Sequence, residues 1–145
     1  MRTSLFVVIM ILFASCDTNS KQLIYSMTDI PNPLPECPDS PNCERVSIQL
    51  DQTADTLLIA FEKALSTMNA YSIEVQKDSN RIDAVFRIPV FGWKDDVAIL
   101  IEPADETMQH VFIRSASRVG YSDLGVNKRR VRRLLKHLNN LLNSQ

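Results

Sequence analysis

Cations dominate one part of this sequence, from residue 114 to residue 136. Eight arginines and lysines lie there, and Asp123 is the one acidic residue among them. The eight are Arg114, Arg118, Lys128, Arg129, Arg130, Arg132, Arg133 and Lys136. Two glycines and the start of a helical pattern occur in the same segment. Free N–H groups at such a turn, together with cations, can bind an anion, so the residue types predict an anion site.

Five polar side chains of this segment are the candidate anion ligands. They are Arg114, Arg118, Asn127, Arg129 and Arg130. Cations in the first turn of a helix oppose the helix dipole, at a cost of about 0.3–1 kcal/mol for each exposed charge. Such a cost indicates either that carboxylates compensate the cations or that a ligand uses them. Lipid phosphates, an anionic glycan or an acidic protein would each be a suitable ligand.

Carboxylates that can compensate these arginines are also present. The candidate ion-pair partners are Asp95, Asp96 and Asp123. Asp95 and Asp96 are adjacent in a predicted strand, and adjacent strand residues point to opposite faces of a sheet. We therefore expect no catalytic pair of carboxylates here, but an ion pair with Arg87, Arg114 or Arg118. The sequence leaves open whether the arginines form an internal network or an anion site.

Ser122 and Asp123 lie in a segment, residues 120–125, that resembles the turn of a serine hydrolase. Its second glycine comes one residue later than in the Gly-x-Ser-x-Gly pattern of that turn. A serine nucleophile also needs a base, normally a histidine, and neither His110 nor His137 has an evident link to Ser122. The competing interpretation is a strand-to-helix turn in which Ser122 or Asp123 caps the helix.

Two helices and several strands are predicted to position these residues. Apolar side chains recur at helical spacing over residues 53–68 and 126–142. Thr53 is the expected N-cap of the first helix, whereas Ser122, Asp123 and Asn127 compete to cap the second. Strands are predicted over residues 71–76, 81–88, 93–102 and 108–118, and a further short strand over residues 46–50. Short links favour antiparallel pairing. The expected fold is α+β, a two-layer sandwich in which two amphipathic helices cover one face of a sheet of about four strands.

The N-terminus is typical of an export signal. Residues 1–15 comprise a basic start, an uncharged apolar run and small residues before Cys16. The run is shorter than the ~20 residues that a membrane-spanning helix needs. Residues 12–16, LFASC, resemble a bacterial lipobox, which implies cleavage before Cys16 and acylation of that cysteine. An ordinary secretion signal followed by a chance cysteine is the alternative.

The rest of the chain divides into a tether and one domain. Residues 16–35 contain three prolines and little apolar periodicity, which predicts an extended tether. Residues 36–145 are expected to form a single domain. Cys37 and Cys43 are an even pair in an exported chain, so a disulfide is expected between them. A zinc site is the rival, but it needs further ligands, and only the distant His110 and His137 are available.

Three segments carry a resemblance to a known family. Residues 37–43 (CPDSPNC), 91–96 (FGWKDD) and 114–127 (RSASRVGYSDLGVN) closely resemble the domain-of-unknown-function family numbered 1499. Glu44 and Arg45 differ from the small polar residues expected after the second cysteine. The resemblance implies a small protein of an envelope or organelle, and it implies no mechanism.

These observations predict a non-enzymatic lipoprotein of the bacterial cell envelope, anchored to a membrane with its domain outside the cytoplasm. Its partners would be the membrane and, through the basic segment, an anionic lipid or envelope protein. Net charge is −1, and aromatic residues are sparse in the basic segment, so no nucleic acid is expected. We expect no cofactor and no metal. An envelope hydrolase or transferase that uses Ser122, Asp123 and the arginines is the alternative.

The lipid anchor can be tested directly. Replacing Cys16 by serine removes the thiol that acylation requires, so Cys16→Ser is expected to release the protein from membranes and to leave its precursor unprocessed. Membrane fractionation after a carbonate wash, with precursor size followed by electrophoresis, measures both effects. Retention of the variant in the washed membranes would place the anchor elsewhere.

Overall fold

The computed structural model describes residues 24–144 of the chain, which form one antiparallel sheet and two helices. The strands are β1 (Tyr25–Met27), β2 (Cys43–Asp51), β3 (Ser72–Gln76), β4 (Arg81–Arg87), β5 (Lys94–Pro103) and β6 (Met108–Ser117). The helices are α1 (Ala54–Thr67) and α2 (Val126–Leu142). The six strands lie in the order β1-β2-β6-β5-β4-β3. Within residues 24–144, no helix is long and apolar enough to cross a membrane.

Both helices begin and end for local reasons. The side chain of Thr53 accepts a hydrogen bond from the Thr56 N–H, which caps α1 as its sequence predicts. After α1, Asn69 takes a left-handed conformation with φ of 61°, and the helix cannot continue through such a residue. Helix α2 covers the predicted residues 126–142.

The core lies between the helices and one face of the sheet. Alternate strand residues supply the sheet side of the core, for example Val111 and Ile113 of β6, which are fully buried. The apolar stripes of the helices supply the other side, with Phe61 of α1 and Leu134 and Leu138 of α2. Each such side chain contributes about 1.5–3 kcal/mol by its burial. The α+β prediction is therefore confirmed.

The sheet has six strands and not the four expected. Strand β2 is nine residues long, whereas its sequence predicts only residues 46–50. Strand β1 lies inside the predicted tether and pairs with β2, with Ser26 opposite Gln49. Its three residues carry no recognisable pattern, because a short edge strand forms through pairing and not through its own propensity. The folded part of the chain therefore begins before residue 36, and residues 16–23 of the tether lie outside the described part.

The segment between β1 and β2 covers part of the sheet face opposite the helices. Asn32 donates to the Val46 carbonyl at 2.9 Å. Arg45 donates to the Leu34 carbonyl at 2.8 Å, and Leu34 is buried. Arg114 lies opposite Arg45 in the sheet. These contacts hold the proline-containing segment against the domain, so this part of the chain is not a free tether.

A disulfide joins Cys37 and Cys43, with an S–S distance of 2.08 Å, which confirms the predicted bridge. It closes a short loop just before β2, which stabilises the fold by about 2 kcal/mol in the chain-entropy account. Within this loop, the Asn42 carbonyl accepts from the Ser117 N–H at 3.0 Å. The disulfide loop is thereby fastened to the end of β6, beside the polar cluster described next.

Candidate functional site

The candidate site lies at one end of the sheet, where β4, β5 and β6 meet the first turn of α2. Two loops flank it, one over residues 88–93 between β4 and β5, and one over residues 118–125 between β6 and α2. Most of the predicted site residues lie at this end. The sheet divides them, because Asp95 and Asp96 point to opposite faces.

Asn127 is the centre of a buried polar cluster, and only 1% of its surface is exposed. The two N–H groups of its amide are shared among three acceptors, the Asn42 carbonyl, Ser117 Oγ and Asp123 Oδ2, which lie 2.7–2.9 Å from the nitrogen. Its amide oxygen accepts from Ser115 Oγ at 2.6 Å. A buried amide with this many partners is satisfied internally. Asn127 therefore fastens the start of α2 to β6 and to the disulfide loop.

Arg130 makes a buried ion pair with Asp95, 2.5 Å between Nη2 and Oδ2. Asp95 is 1% exposed, and the guanidinium also donates to Ser115 Oγ and to Asn127 Oδ1. The guanidinium carbon lies 4.7 Å from the centre of the Phe86 ring, a cation–π contact. Arg130 comes from the helix and was not among the expected partners of Asp95. The hydrogen-bonding groups of its guanidinium are therefore occupied by residues of the protein itself.

Asp123 caps α2, although Gly125 is the N-cap residue by backbone position. The Asp123 carboxylate accepts from the Gly125 N–H at 2.8 Å and from the Asn127 N–H at 2.6 Å. Partial burial of this carboxylate raises its pKa. The hydrogen bonds from Asn127 and Gly125 lower the pKa by more than burial raises it, so the pKa of Asp123 lies below its ordinary value. Ser122 Oγ accepts from the Leu124 N–H at 3.3 Å, so this turn matches the capping interpretation.

Arg118 and Asp96 form an ion pair on the opposite face, as the sequence suggests for one of the two aspartates. The Arg118 guanidinium donates hydrogen bonds to both carboxylate oxygens of Asp96, the shortest of them 2.7 Å. Both side chains are 46% exposed. Arg114 lies on the same face and donates to the Glu36 carbonyl at 3.5 Å. The five predicted anion ligands are therefore divided between the two sides of the sheet.

An arginine cleft lies beside the start of α2. It has a volume of about 440 Å³, and Arg87, Arg129 and Arg133 line it with exposed side chains, while Arg130 borders it from within. Among residues 24–144, no carboxylate pairs with Arg87, Arg129 or Arg133. The Arg129 guanidinium donates to the Leu124 carbonyl at 2.7 Å and to no other group of residues 24–144. Arg87 was missed as a site residue because it belongs to β4, far from the basic segment.

An apolar tip stands next to this cleft. Six of the nine large apolar side chains exposed within residues 24–144 belong to the two loops: Val90, Phe91, Trp93, Val119, Tyr121 and Leu124. The rings of Phe91 and Trp93 stack, with centroids 4.6 Å apart. The apolar pocket beneath the tip has a volume of about 210 Å³ and shares Ile88 and Val126 with the arginine cleft. Sequence periodicity does not detect such a surface, because its residues come from two separate loops.

No group of three or more His, Cys, Asp or Glu side chains within the described residues is placed to hold a metal ion. His110 lies on β6 with its side chain on the face away from the helices, since it alternates with the core residues Val111 and Ile113. Ser122 and Asp123 have no histidine among their hydrogen-bond partners in the part of the chain described.

Comparisons with known proteins establish the family and the fold. A family model described as "Protein of unknown function (DUF1499)" matches residues 33–138. The crystal structure of the adenylate sensor from AMP-activated protein kinase, in complex with ZMP, is similar with a TM-score of 0.50 and 17% identity, over 62% of this chain and 92% of that one. A conserved protein from Geobacillus kaustophilus has a TM-score of 0.37 and 13% identity, over 71% and 95% of the two chains. No curated protein matches.

The two ion pairs are expected to differ in their effect on stability. Arg130→Gln leaves Asp95 buried without its cation, which typically costs about 3–5 kcal/mol in the free energy of unfolding. Arg118→Gln removes the same charge from a half-exposed pair and is expected to change stability little, because solvent screens that pair. Urea denaturation of both variants measures the difference. Equal losses would contradict a structural role specific to Arg130.

The Asp123 cap is expected to make stability depend on pH. Since the folded pKa is depressed, the contribution of Asp123 is fully present above the unfolded pKa of about 3.9 and is lost as the pH falls through the folded value. Asp123→Asn should therefore lower the free energy of unfolding by about 1 kcal/mol at neutral pH, and by less in acid, because the amide keeps only one accepting oxygen and carries no charge to favour the helix N-terminus. Denaturation curves across the acid range test this. Asp78→Asn, which removes an exposed carboxylate without hydrogen bonds to residues 24–144, is the control.

Proposed function

The chain belongs to the DUF1499 family of proteins of unknown function. From that premise, we propose that it is a non-enzymatic lipoprotein of the bacterial cell envelope, anchored to a membrane. We further propose that it binds an anionic group in its arginine cleft. The observation that carries the anion site is the convergence of Arg87, Arg129 and Arg133 on one cleft, with no carboxylate of residues 24–144 paired to them.

Like charges gathered around one cleft repel each other, and an entering anion would relieve that repulsion. The cleft also has an apolar lining, to which Met68, Phe86 and Pro89 contribute. Apolar walls keep the local dielectric constant lower than in water, which strengthens the attraction between a guanidinium and an anion. Arginine suits this task, because its planar guanidinium can donate two parallel hydrogen bonds to a phosphate or carboxylate.

The proposed site keeps part of the predicted set and changes the rest. Arg129 remains a ligand, and Arg87 and Arg133 join it. Asn127 and Arg130 instead hold the start of α2, while Arg114 and Arg118 lie on the other face of the sheet. The proposed anion site therefore consists of Arg87, Arg129 and Arg133, which line the cleft and take no part in the polar cluster around Asn127.

Two features support the proposed location and anchor. The lipobox-like sequence before Cys16 would supply a lipid anchor, although that cysteine lies outside the described residues. The Cys37–Cys43 disulfide suits an oxidising compartment outside the cytoplasm. The alternative, a hydrolase or transferase that uses Ser122 and Asp123, gains no support, because the oxygens of both side chains accept backbone N–H groups of the turn.

Binding of a simple anion tests the proposal. Pyrophosphate titrated into the protein, followed by calorimetry, is expected to bind and to weaken as ionic strength rises, since salt screens exposed charges. The double variant Arg129→Gln/Arg133→Gln should bind at least about tenfold more weakly, because a charge-assisted hydrogen bond contributes about 1.5–3 kcal/mol. Its free energy of unfolding should stay within about 0.5 kcal/mol of the parent, as is usual for surface changes.

Arg132→Gln is the matched control, because Arg132 is exposed on the same helix and does not line the cleft. It removes one charge from α2 and should leave pyrophosphate affinity nearly unchanged. If Arg132→Gln weakens binding as much as a single Arg129→Gln change, the helix attracts anions only through its overall charge. Failure of the parent protein to bind pyrophosphate would also contradict the proposal.

A further inference from the structure

The apolar tip is an exposed surface whose burial would be favourable. Its most exposed members are Leu124, at 84%, and Val90, at 83%. Scattered apolar residues on a surface need no explanation, but a contiguous group on two adjacent loops marks a place where an apolar ligand or partner binds. Leu124 also has a left-handed backbone, with φ of 53°, which is unusual for a residue with a branched side chain.

Hydrogen bonds hold both loops of the tip in place. The Gly92 N–H donates to the Ile88 carbonyl at 2.8 Å, and the Asn42 amide donates to the Gly120 carbonyl at 2.5 Å. Asp123 fixes the end of the second loop through the Gly125 N–H. Because the loops are already ordered, a ligand that covers the tip would bear little of the entropy cost of ordering them.

The pocket beneath the tip adjoins the arginine cleft directly. Phe91, Trp93, Val119 and Leu124 form its exposed rim. Ile88 and Val126 line both the pocket and the cleft, so the two are continuous at the start of α2. A single ligand can therefore place an apolar part on one side of these residues and an anionic part on the other.

The charges of the two compartments determine the orientation of such a ligand. Asp95 and Asp123 are the charged residues that line the apolar pocket. One oxygen of Asp95 is buried without a hydrogen-bond partner among residues 24–144. No Lys or Arg of residues 24–144 lines the pocket, whereas Arg87, Arg129 and Arg133 line the cleft. An anionic group would therefore be attracted into the cleft, and the apolar part of the ligand would lie in the pocket.

We propose that the anion of the arginine cleft is the head group of an amphiphile, whose apolar chain lies in the pocket beneath the tip. This inference rests on the proposed anion site and names the class of its ligand, an anionic amphiphile with a phosphate or carboxylate head. A membrane lipid and a free amphiphile share this chemistry.

Trp93 provides the measurement, because it is the one tryptophan of the whole chain and belongs to the tip. Dodecyl phosphate, titrated below its micellar concentration, is expected to shift Trp93 fluorescence to shorter wavelength and to bind at least tenfold more tightly than inorganic phosphate. The tighter binding reflects transfer of the alkyl chain out of water. Inorganic phosphate should compete with dodecyl phosphate without shifting the fluorescence.

Variants separate the two parts of the ligand. Phe91→Ser/Leu124→Ser should abolish most of the tenfold advantage of dodecyl phosphate and leave the affinity for inorganic phosphate unchanged. Ile59→Ser is the matched control, since Ile59 is also exposed but lies on α1, outside the pocket. It should retain the full advantage. Arg129→Gln/Arg133→Gln should weaken binding of both phosphates.

Each outcome distinguishes the inference from the function on which it rests. If dodecyl phosphate binds no more tightly than inorganic phosphate, the inference fails and the anion site stands. If neither phosphate binds, the anion site itself fails. Equally tight binding of the uncharged dodecyl maltoside, below its micellar concentration, would show that the anionic head group contributes nothing, which also overturns the inference. If Ile59→Ser also loses the tighter binding of dodecyl phosphate, the alkyl chain of the ligand lies outside the pocket.

Vesicles distinguish the two sources of the amphiphile. Binding of monomeric dodecyl phosphate together with phosphatidylglycerol vesicles, both weakened by Phe91→Ser/Leu124→Ser, would support a lipid taken from a bilayer. Binding of the monomer alone would support a free amphiphile as the ligand. Binding of vesicles without any binding of the monomer would contradict a pocket for a single chain. A tip that serves only a partner protein predicts binding of neither, and that result would overturn the proposal.

Discussion

The ion pair between Arg130 and Asp95 couples the second helix to the sheet, and the arrangement of the site depends on it. Two charges are withdrawn from water here, which is favourable only when their remaining hydrogen-bonding groups find partners. Asn127 and Ser115 supply them on the side of the arginine. The geometry of these bonds sets the position of the first turn of α2. Arg129 and Arg133, the neighbours of Arg130 on the helix, are directed outward as a consequence.

The arginines of α2 look equivalent in the sequence, but they differ in burial. Arg130 is enclosed and neutralised, whereas Arg129 and Arg133 lie on the exposed side of the same helix. They are joined there by Arg87 from β4. The Asp123 cap offsets part of the cost of placing cations at a helix N-terminus, because its carboxylate accepts the free N–H groups of the first turn. The structure thus compensates the buried cation and leaves the cleft positively charged.

The sequence predicted much of the fold and part of the candidate site. Both helices, the Thr53 cap and the Cys37–Cys43 disulfide follow from periodicity, capping residues and spacing, and they are confirmed. The number of strands was wrong, because β1 owes its existence to pairing with β2 and not to a pattern of its own. The pairing of Asp96 with Arg118 was among the expected pairs, but that of Asp95 with Arg130 was not. Strand alternation shows which face a side chain takes and not which helix covers it.

By itself, then, the sequence determined the class of fold, the cap of the first helix, the extent of the second and the excess of cations near its start. These features are local, since each depends on residues a few positions apart. Only the tertiary structure decided which cations are neutralised and which remain free. It also brought residues 88–93 and 118–125 together into the apolar tip, and placed Arg87 beside Arg129. Residues become neighbours in this way through strand order and helix docking. The free energy of a buried charge depends on the groups around it in space and not on the residues next to it in the sequence.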